Sequence, residues 1–514
     1  MLQETVKKLL ENEQIKNQPI IASITAATTI IGIAWFMRSL QNKNRDKIPM
    51  VPYFWPIVGS TRVYNKDQLK FVKETSEKYG PVYRAHLFGK IVTIVGAGHA
   101  EEVFNHPDLN FIESQRKKFD ASHFFGYIRE KTPDLTIQDI IIKELNPKLK
   151  QYSPRGYMEF SSVLKESLGN TNELVSSKKL NHLILQCISQ SCISIFVGPE
   201  ACKETSLVST YMAMYYEVAP EFSLSIWHQV LPWYHEKYMK SEYPKRENMK
   251  KHRLTIKKEI EKELLRFLSK GDNTDDLPES LLRFALKSHP QENNDETLES
   301  LTTFVQILFF IGVLTSVGST IGVVMALIKN KSLLEALKQE QEEAIDDEIK
   351  EQKRLGTLSD SESVDRDEFM VKNINHIYRR MVKLDSYLRE AFRHGGSSLA
   401  HSHINNSDHD VVLKSGAVIK PGEDVYINFW HVHQMNKDNI EDDLSDFKPF
   451  RHVGQGSPVT KVGENFLLFG MGKHACPGRW FAVHQMKGII TCMIRNFNIT
   501  AQAEDGIQFE KKSI

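Results

Sequence analysis

The stretch from Phe469 to Arg479 constrains the fold of this chain most, because it sets one cysteine, Cys476, among glycines and basic residues. The run from Trp480 to Asn496 follows and predicts an amphipathic helix whose N-terminal end lies at the sulfur. A helix N-terminus favours an anion, so this arrangement favours the thiolate over the thiol. The glycines let backbone N–H groups approach a sulfur or a flat cofactor closely. Cys476 is therefore a candidate metal-thiolate ligand.

Two other interpretations of Cys476 follow from the residues alone. A free cysteine is usually an inert core residue that packs as a small hydrophobe. A zinc site with His474 and Cys476 as two ligands is the other, but the sequence has no second Cys/His pair with finger-like spacing.

The complete pattern, F-x-x-G-x-H-x-C-P-G-R, resembles the haem-binding signature of the cytochrome P450 superfamily of haem-thiolate monooxygenases. The resemblance implies one large, mainly α-helical domain with small β-sheets, haem b as cofactor and Cys476 as axial iron ligand. It places Phe469 beside the haem and lets Gly472 and Gly478 shape the ligand loop. His474 stands where the family more often has Arg, and a histidine there resembles the variant common among fungal microsomal members. It would reach a haem propionate.

Composition limits the partners of this 514-residue chain, which is long enough to bury a sizeable core. Its 66 basic and 65 acidic residues nearly cancel, so no overall field would recruit nucleic acid. Five cysteines are few and odd in number, which indicates a reducing compartment rather than a disulfide framework. The catalytic domain is therefore expected to face the cytosol.

An uncharged run at residues 19–37 is close to the roughly 20 residues that cross a bilayer, and it predicts a transmembrane anchor after a luminal segment at 1–18. A cleaved signal peptide and a buried core helix stay open as alternatives. More basic residues follow the run than precede it, which favours a cytosolic C-terminal side. The basic residues are Lys7, Lys8 and Lys16 before it, and Arg38, Lys43, Arg45 and Lys47 after it. With the resemblance, this predicts a single-pass protein of the endoplasmic reticulum membrane.

Residues 38–59 are basic and proline-rich, and Pro49, Pro52 and Pro56 exclude a helix and stiffen the chain. They resemble the family's hinge between anchor and catalytic domain, which would span 60–514.

The first part of that domain carries no chemical motif. A helix is predicted over Lys66 to Tyr79 and a β-hairpin over Val82 to Val95. Most segments from about Ala100 to Lys250 have helical spacing, and Tyr243 to Phe267 is amphipathic.

No charged residue lies between Glu299 and Lys329, so this run has two interpretations. It is long enough to be a second membrane span, but its polar residues would then need partners in lipid. The alternative is a long core helix. The resemblance favours the core helix, since the family's longest helix crosses the distal face of the haem.

Within this run, Ile311 to Ser316 resembles the family's oxygen-activation motif. Gly312 would make room for dioxygen, but Leu314 occupies the usual acid position and cannot relay a proton. Thr315 is the candidate catalytic hydroxyl, with Ser316 or water in place of the acid. A threonine bonded back to its own helix is the alternative.

The polar stretch from Lys338 to Glu368 predicts a helix end followed by an exposed loop. A helix is then predicted over Met381 to His394, where Glu390 and Arg393 share one face. Phe447-x-Pro449-x-Arg451 follows, and the resemblance implies a buried structural network of Glu390, Arg393 and Arg451.

Short strands are predicted at Val411 to Leu413 and Val425 to Phe429. Where family members carry an arginine that reaches a propionate, this chain offers His401 and His403, which could equally be plain loop residues. Only a short tail follows Asn496, where the family has a longer hairpin, so a pocket that is more open or differently closed at that edge is predicted.

The resemblance implies insertion of one oxygen atom from O2 into a lipophilic small molecule. The sequence has no Gly-rich dinucleotide fingerprint or flavin domain, so electrons would have to come from another protein. The anchor and the resemblance imply a membrane-bound, NADPH-dependent reductase. Lys473, Arg479 and Lys487 could form its basic docking patch. Two alternatives remain: a haem-thiolate isomerase or dehydratase that needs no reductase, and a non-catalytic, membrane-tethered haem-binding protein.

Overall fold

A computed structural model gives the fold, and it describes most of the chain after Asp46. The described residues are 46–118, 137–169, 174–219, 225–288, 292–359, 361, 363–395, 399–435, 443–502 and 506–512. The predicted luminal segment and anchor lie outside them, and the hinge is described only from Asp46.

Helices make up most of the described chain, as predicted. They are α1 (Thr61–Lys66), α2 (Gln68–Tyr79), α3 (Ala100–Asn105), α4 (Phe111–Lys118), α5 (Ile137–Ile140), α6 (Leu149–Leu168), α7 (Ser177–Phe196), α8 (Thr205–Val218), α9 (Ile226–Val230), α10 (Pro232–Lys237), α11 (Glu247–Ser269), α12 (Leu281–Ser288), α13 (Asp295–Phe309), α14 (Thr315–Ile328), α15 (Lys331–Arg354), α16 (Arg366–Lys372), α17 (Ile374–Arg380), α18 (Val382–Gly395), α19 (Phe429–Met435) and α20 (Arg479–Asn496).

Three small sheets accompany the helices. The strands are β1 (Val82–Leu87), β2 (Lys90–Val95), β3 (Leu109–Asn110), β4 (Val175–Ser176), β5 (Leu399–Asn405), β6 (Val411–Val412), β7 (Val418–Ile419), β8 (Asp424–Asn428), β9 (Phe497–Ala501) and β10 (Gly506–Lys511). The largest sheet has the order β1-β2-β8-β5-β3, and the other two are β4-β10-β9 and β6-β7. The predicted hairpin is present, with Val82 opposite Val95.

The end of the chain differs from the sequence prediction. Phe497 to Lys511 forms an antiparallel hairpin, β9 and β10, and β10 also pairs with β4. The prediction that only a short tail without the family's hairpin follows Asn496 was therefore wrong.

The uncharged run forms one long, kinked helix, in which α13 continues through a π-helical turn at Phe310–Leu314 into α14. By length and composition it could cross a membrane, but it contacts α7, α11, α18 and α20 in the helical core. Its polar groups have protein partners: Arg253 of α11 donates hydrogen bonds to Gln306 and to Thr303. These contacts support the core-helix interpretation.

The polar stretch after it is more helical than predicted. α15 runs to Arg354, because Leu337, Ala344 and Ile345 recur at helical spacing and are buried. The next helix, α16, begins at Arg366. All five cysteines are unpaired, as the composition indicated.

Candidate functional site

The loop that carries Cys476 is held by its own backbone. The Cys476 N–H donates to the Phe469 carbonyl at 2.7 Å, and Gly478 is the N-cap of α20. Gly470 and Gly472 have φ of 70° and 57°, a region that L side chains rarely adopt. A Cβ on Gly472 would also lie 2.8 Å from Oδ1 of Asn105. The tight loop thus requires glycine at 472.

The electrostatics of the Cys476 sulfur differ from the expectation. Burial raises the pKa of the thiol, while the N–H groups of Gly478 and Arg479 and the Arg479 charge offset this only in part. The helix N-terminus acts in the predicted direction, but the thiolate is not favoured by the protein alone. A bound metal cation would have to complete the deprotonation.

Neighbouring elements fix the loop further. Arg479 donates to the Cys476 carbonyl at 2.7 Å and to the Thr460 carbonyl at 3.1 Å. Nδ2 of Asn146, in the middle region that carries no motif, donates to the Pro477 carbonyl at 3.0 Å. Sequence spacing gave no signal for Asn146.

The predicted basic docking patch is only partly at the surface. Lys473 is exposed. Lys487 is buried, and its Nζ lies 2.6 Å from Asp385 and 3.1 Å from the Tyr378 carbonyl. Lys487 therefore belongs to an internal ion pair, and its inclusion in the patch was wrong.

Glu390, Arg393 and Arg451 come together in one buried network. Arg393 donates to both Glu390 oxygens at 2.7 and 2.9 Å, and Nε of Arg451 donates to Glu390 at 3.2 Å. The Lys448 N–H and His452 Nε2 also contact this carboxylate, at 3.0 and 3.2 Å. Burial pushes the pKa of Glu390 up, but these hydrogen bonds outweigh it and leave the pKa well below its usual range.

The network joins α18 to the segment before the cysteine loop. Arg393 donates to the His433 carbonyl at 2.9 Å, and Arg451 donates to the carbonyls of Asp446 and Asp443 at 2.7 and 3.0 Å. His452 was missed from the sequence, although it directly follows Arg451.

His401, His403 and His474 surround the ring of Phe111. The ring centroids lie 5.4, 5.5 and 5.6 Å from that of Phe111, and His403 lies 5.7 Å from His474. The sequence named these histidines separately, and β5 and the cysteine loop bring them together. His401 has a φ of 44°, at the irregularity where β5 pairs with β8.

Each of these histidines has one buried ring nitrogen without a partner among the described residues: Nδ1 of His401 and Nε2 of His403 and His474. Burial lowers the pKa of His401 to about 4 and that of His403 to about 3, and it also lowers the pKa of His474. At neutral pH these three rings are therefore uncharged.

Lys118, at the end of α4, is a further cation near this cluster that the sequence did not reveal. Its Nζ contacts the Ser402 hydroxyl and lies 3.9 Å from the centroid of Tyr426. Burial lowers its pKa to about 7, and its charge helps to lower the pKa of His403.

The long helix formed by α13 and α14 places Gly312, Thr315 and Ser316 in different surroundings. Gly312 is buried, and a Cβ there would lie 2.6 Å from the ring of Phe196. Close packing against Phe196 therefore favours glycine at this position. Thr315 is exposed and its hydroxyl donates to the Ile311 carbonyl at 2.7 Å, the alternative that the sequence left open. Ser316 is buried, so its side chain does not share the exposed position of Thr315.

Comparison with known proteins decides the family. A family model described as Cytochrome P450 matches residues 49–513. The chain belongs to this family. It is therefore an oxidoreductase of the cytochrome P450 monooxygenase family.

Fungal P450 enzymes are among its relatives. The chain is 23% identical over 483 residues to cytochrome P450 monooxygenase 151 of Postia placenta, covering 89% of this chain and 87% of that protein. It is 24% identical over 423 residues to cytochrome P450 monooxygenase CYP512U6 of Ganoderma lucidum, covering 76% and 75%. The structure of retinoic acid-bound cyanobacterial CYP120A1 matches with a TM-score of 0.60 at 17% identity, covering 91% of this chain and all of that one. The P450 fold predicted from the sequence is confirmed.

A P450 carries a haem, and the residues present fit one. Cys476 offers a sulfur at a helix end, and the unpaired imidazole nitrogens of His401 and His474 can donate to carboxylates such as haem propionates. Nδ1 of His403 donates to the His401 carbonyl at 2.8 Å, so in the neutral ring its Nε2 is an acceptor and does not fit a propionate. Among the residues that the structure describes, no group of three or more His, Cys, Asp or Glu could hold a separate metal ion. A zinc site at Cys476 therefore has no support in the described chain.

Proposed function

We propose that this P450 is a membrane-anchored haem-thiolate monooxygenase that inserts one oxygen atom from O2 into a lipophilic small molecule. The observation that carries the proposal is the Cys476 sulfur, which faces two backbone N–H donors at the N-terminus of α20. The family match over residues 49–513 supports the same reaction.

Cys476 would be the axial ligand of the iron. When bound, haem with a thiolate ligand supplies oxygen activation, because the sulfur pushes electron density that favours O–O cleavage. The N–H groups of Gly478 and Arg479 hold part of the negative charge on sulfur and so tune that push. The Phe469 carbonyl fixes the Cys476 backbone, which sets the position of the sulfur.

His401 and His474 would hold the haem propionates. Burial lowers the pKa of both rings and keeps them uncharged, so they would bind a carboxylate as N–H donors and not as cations. His403 donates its Nδ1 hydrogen to the His401 carbonyl and would position His401 instead. The Glu390 network would keep the segment before Cys476 in register with α18.

Thr315 is the proposed catalytic hydroxyl. Its Oγ1 donates to the Ile311 carbonyl at 2.7 Å, so a water can donate to this oxygen directly but can accept from it only by sharing or displacing that hydrogen bond. Leu314 gives no acid beside it. Proton delivery to the site would therefore run through Thr315 Oγ1 and water.

The protein would lie in the endoplasmic reticulum membrane as a single-pass protein, with the catalytic domain in the cytosol. The apolar run at 19–37 supports this localisation. Exposed aromatic residues add support: Phe54 and Trp55 are 82% and 64% exposed, and Trp227 and Trp233 are 54% and 64% exposed. Aromatic rings of this kind favour the membrane interface.

These aromatic residues lie on neighbouring elements. Trp55 is four residues before Gly59, whose N–H donates to its carbonyl, and α1 begins two residues later. Asn65 of α1 donates to Gln229 of α9 at 2.9 Å. The segment near the predicted anchor and the α9–α10 segment are thus joined.

An NADPH-dependent cytochrome reductase in the same membrane would supply electrons. The test is reconstitution of the full chain with such a reductase, NADPH and a panel of lipophilic compounds under 18O2. One labelled oxygen atom in the product, formed only with NADPH and reductase, is expected. Product without label would contradict the proposal.

A second function is favoured by one observation, the combination of Leu314 in the acid position and a Thr315 hydroxyl turned onto its own helix. A haem-thiolate isomerase or dehydratase needs neither proton relay nor reductase. Conversion of an oxygenated substrate at the same rate without NADPH and reductase would select this function over the first.

A further inference from the structure

A cleft of about 400 Å³ lies between α18, α19 and the segment at 452–466. Its lining residues include Arg389 and His433. Nothing in the proposed monooxygenase reaction uses these two side chains. The volume lies in the range of small-molecule pockets, roughly 300–1,000 Å³.

Arg389 is a buried cation without an ion-pair partner in the described chain. It is 9% exposed, and Nη1 donates to the carbonyls of Pro458 and Lys461 at 3.0 and 2.9 Å. Burial lowers the pKa of Arg389 to about 10, and Asp385 and Glu390 compensate only in part. A positive charge is therefore left over at the cleft.

His433 presents an unused donor to the same cleft. Its Nε2 accepts the Leu467 N–H at 3.0 Å, so the hydrogen of the neutral ring must be on Nδ1. Burial lowers the pKa of His433 to about 3, which keeps the ring neutral. Nδ1 is buried and has no partner among the described residues. A buried donor without an acceptor is costly.

One ring holds both groups in place. The guanidinium of Arg389 lies 4.1 Å from the centroid of Phe466, and the ring of His433 stacks on Phe466 at 5.6 Å. Phe466 therefore contacts both the guanidinium and the imidazole ring, and all three side chains line the same cleft. An oxyanion would supply a negative charge for the Arg389 guanidinium and an acceptor oxygen for the His433 N–H.

We propose that this cleft binds a small organic oxyanion, a carboxylate or a phosphate ester, through Arg389 and the Nδ1–H of His433. The bound anion would neutralise the guanidinium and accept the imidazole hydrogen. The Leu467 N–H donates a hydrogen bond to His433, and Leu467 lies two residues before Phe469. The bound anion would therefore also stabilise the start of the cysteine loop.

Gly463 allows a test that removes no buried group. It lines the cleft, and a Cβ there meets no atom within 4 Å. In Gly463→Glu the new carboxylate would compete with the ligand, whereas Gly463→Gln is a neutral control of the same size. Thermal unfolding of the haem-loaded full chain is measured with benzoate, phenyl phosphate or chloride at equal ionic strength.

Wild type and Gly463→Gln are expected to show a saturable rise of the unfolding temperature with benzoate, phenyl phosphate or both. The expected rise is about 2–3 °C at 100 times Kd. Gly463→Glu should show none, and Arg389→Gln, as a second variant, should also show none. A response to benzoate alone identifies a carboxylate site, and one to phenyl phosphate alone a phosphate ester site.

Three results would overturn the proposal: no rise in wild type with either anion, a rise of equal size with chloride, or an undiminished rise in Gly463→Glu. If Gly463→Glu yields no folded protein, the response of Arg389→Gln decides in the same way.

Discussion

The cysteine side of the molecule and the exposed face of the long helix at 295–328 are built differently. Around Cys476, backbone and side-chain donors fix the loop, and the carboxylate of Glu390 has five donors from four residues. On the helix, the Thr315 hydroxyl bonds only to Ile311, and a Cβ on Gly318 or Gly322 would meet no atom within 4 Å.

This difference separates two tasks. A cofactor that must stay in one orientation needs neighbours that fix its ligand, and a buried charged network does this because breaking it leaves an unpaired charge. A surface that must admit a substrate and water cannot be filled by side chains. The comparison predicts that substitutions on the cysteine side change folding and cofactor content, whereas those on the open face change catalysis.

The largest effect is expected for Glu390→Ala. It leaves Arg393 and Arg451 buried without their carboxylate, at a cost of about 3–5 kcal/mol of unfolding free energy. Little haem-loaded protein should form, which the haem-to-protein absorbance ratio measures. Glu351→Ala, which breaks a solvent-screened pair with Arg354, is the control and should leave the stability and the haem content nearly unchanged. Normal haem content in Glu390→Ala would remove the difference between the two regions.

Alanine substitutions should change the stability in opposite directions on the packed face and on the open face of the long helix. In Gly312→Ala the added methyl would lie 2.6 Å from Phe196, and overpacking should cost about 1–3 kcal/mol. Gly322→Ala adds the same methyl to open space and should stabilise the helix by up to about 1 kcal/mol. Denaturant unfolding followed by circular dichroism measures both. Equal changes in the two variants would show that the packing at Phe196 is not as tight as described.

Lowering the pH should reduce the contribution of Glu390 to the free energy of unfolding, because its carboxylate becomes protonated. Its pKa is lower in the folded protein than the ordinary value of 4.5, so its contribution is present above that pH and is lost as the pH falls below it. The stability difference between wild type and Glu390→Gln should shrink by up to about 1.4 kcal/mol per pH unit below 4.5. Denaturant titrations at several pH values measure this difference. A difference that stays constant down to pH 3 would contradict the assignment of the lowered pKa.

The smallest effect is expected for the Thr315 hydroxyl. Thr315→Val should lower product formed per NADPH by roughly tenfold, less than loss of a full general acid, because no carboxyl acts beside it. Thr320→Val removes a hydroxyl that bonds back to Ser316 in the same way but is buried, and it should leave this ratio unchanged. If both variants behave alike, Thr315 has only a structural role.

Much of the cysteine side could be predicted from the sequence. Two of its patterns lie within short segments: the spacing of Phe469, His474 and Cys476, and the pair Glu390 and Arg393. Such patterns can be recognised in the sequence. Arg451 was predicted from the resemblance of Phe447-x-Pro449-x-Arg451 to the family's pattern. Only Glu390 and Arg393 come together through local geometry, because residues three apart share one helix face.

The residues that escaped prediction are those whose contacts depend on distant segments. Asn146 reaches Pro477, and Phe111 lies among three histidines from two other elements, and neither contact leaves a periodic signal. Gly312 matched a motif, yet its requirement comes from Phe196 of α7. The raised pKa of Cys476 likewise depends on burial, which spacing does not reveal.

The central claim is that Cys476 is the thiolate ligand of a haem, and a spectrum of reduced, CO-treated protein tests it most directly. The account predicts a thiolate-type Soret shift in wild type that is lost in Cys476→Ala while His474→Ala keeps it. Absence of the shift in folded, haem-loaded wild type, or its persistence in Cys476→Ala, would contradict the account.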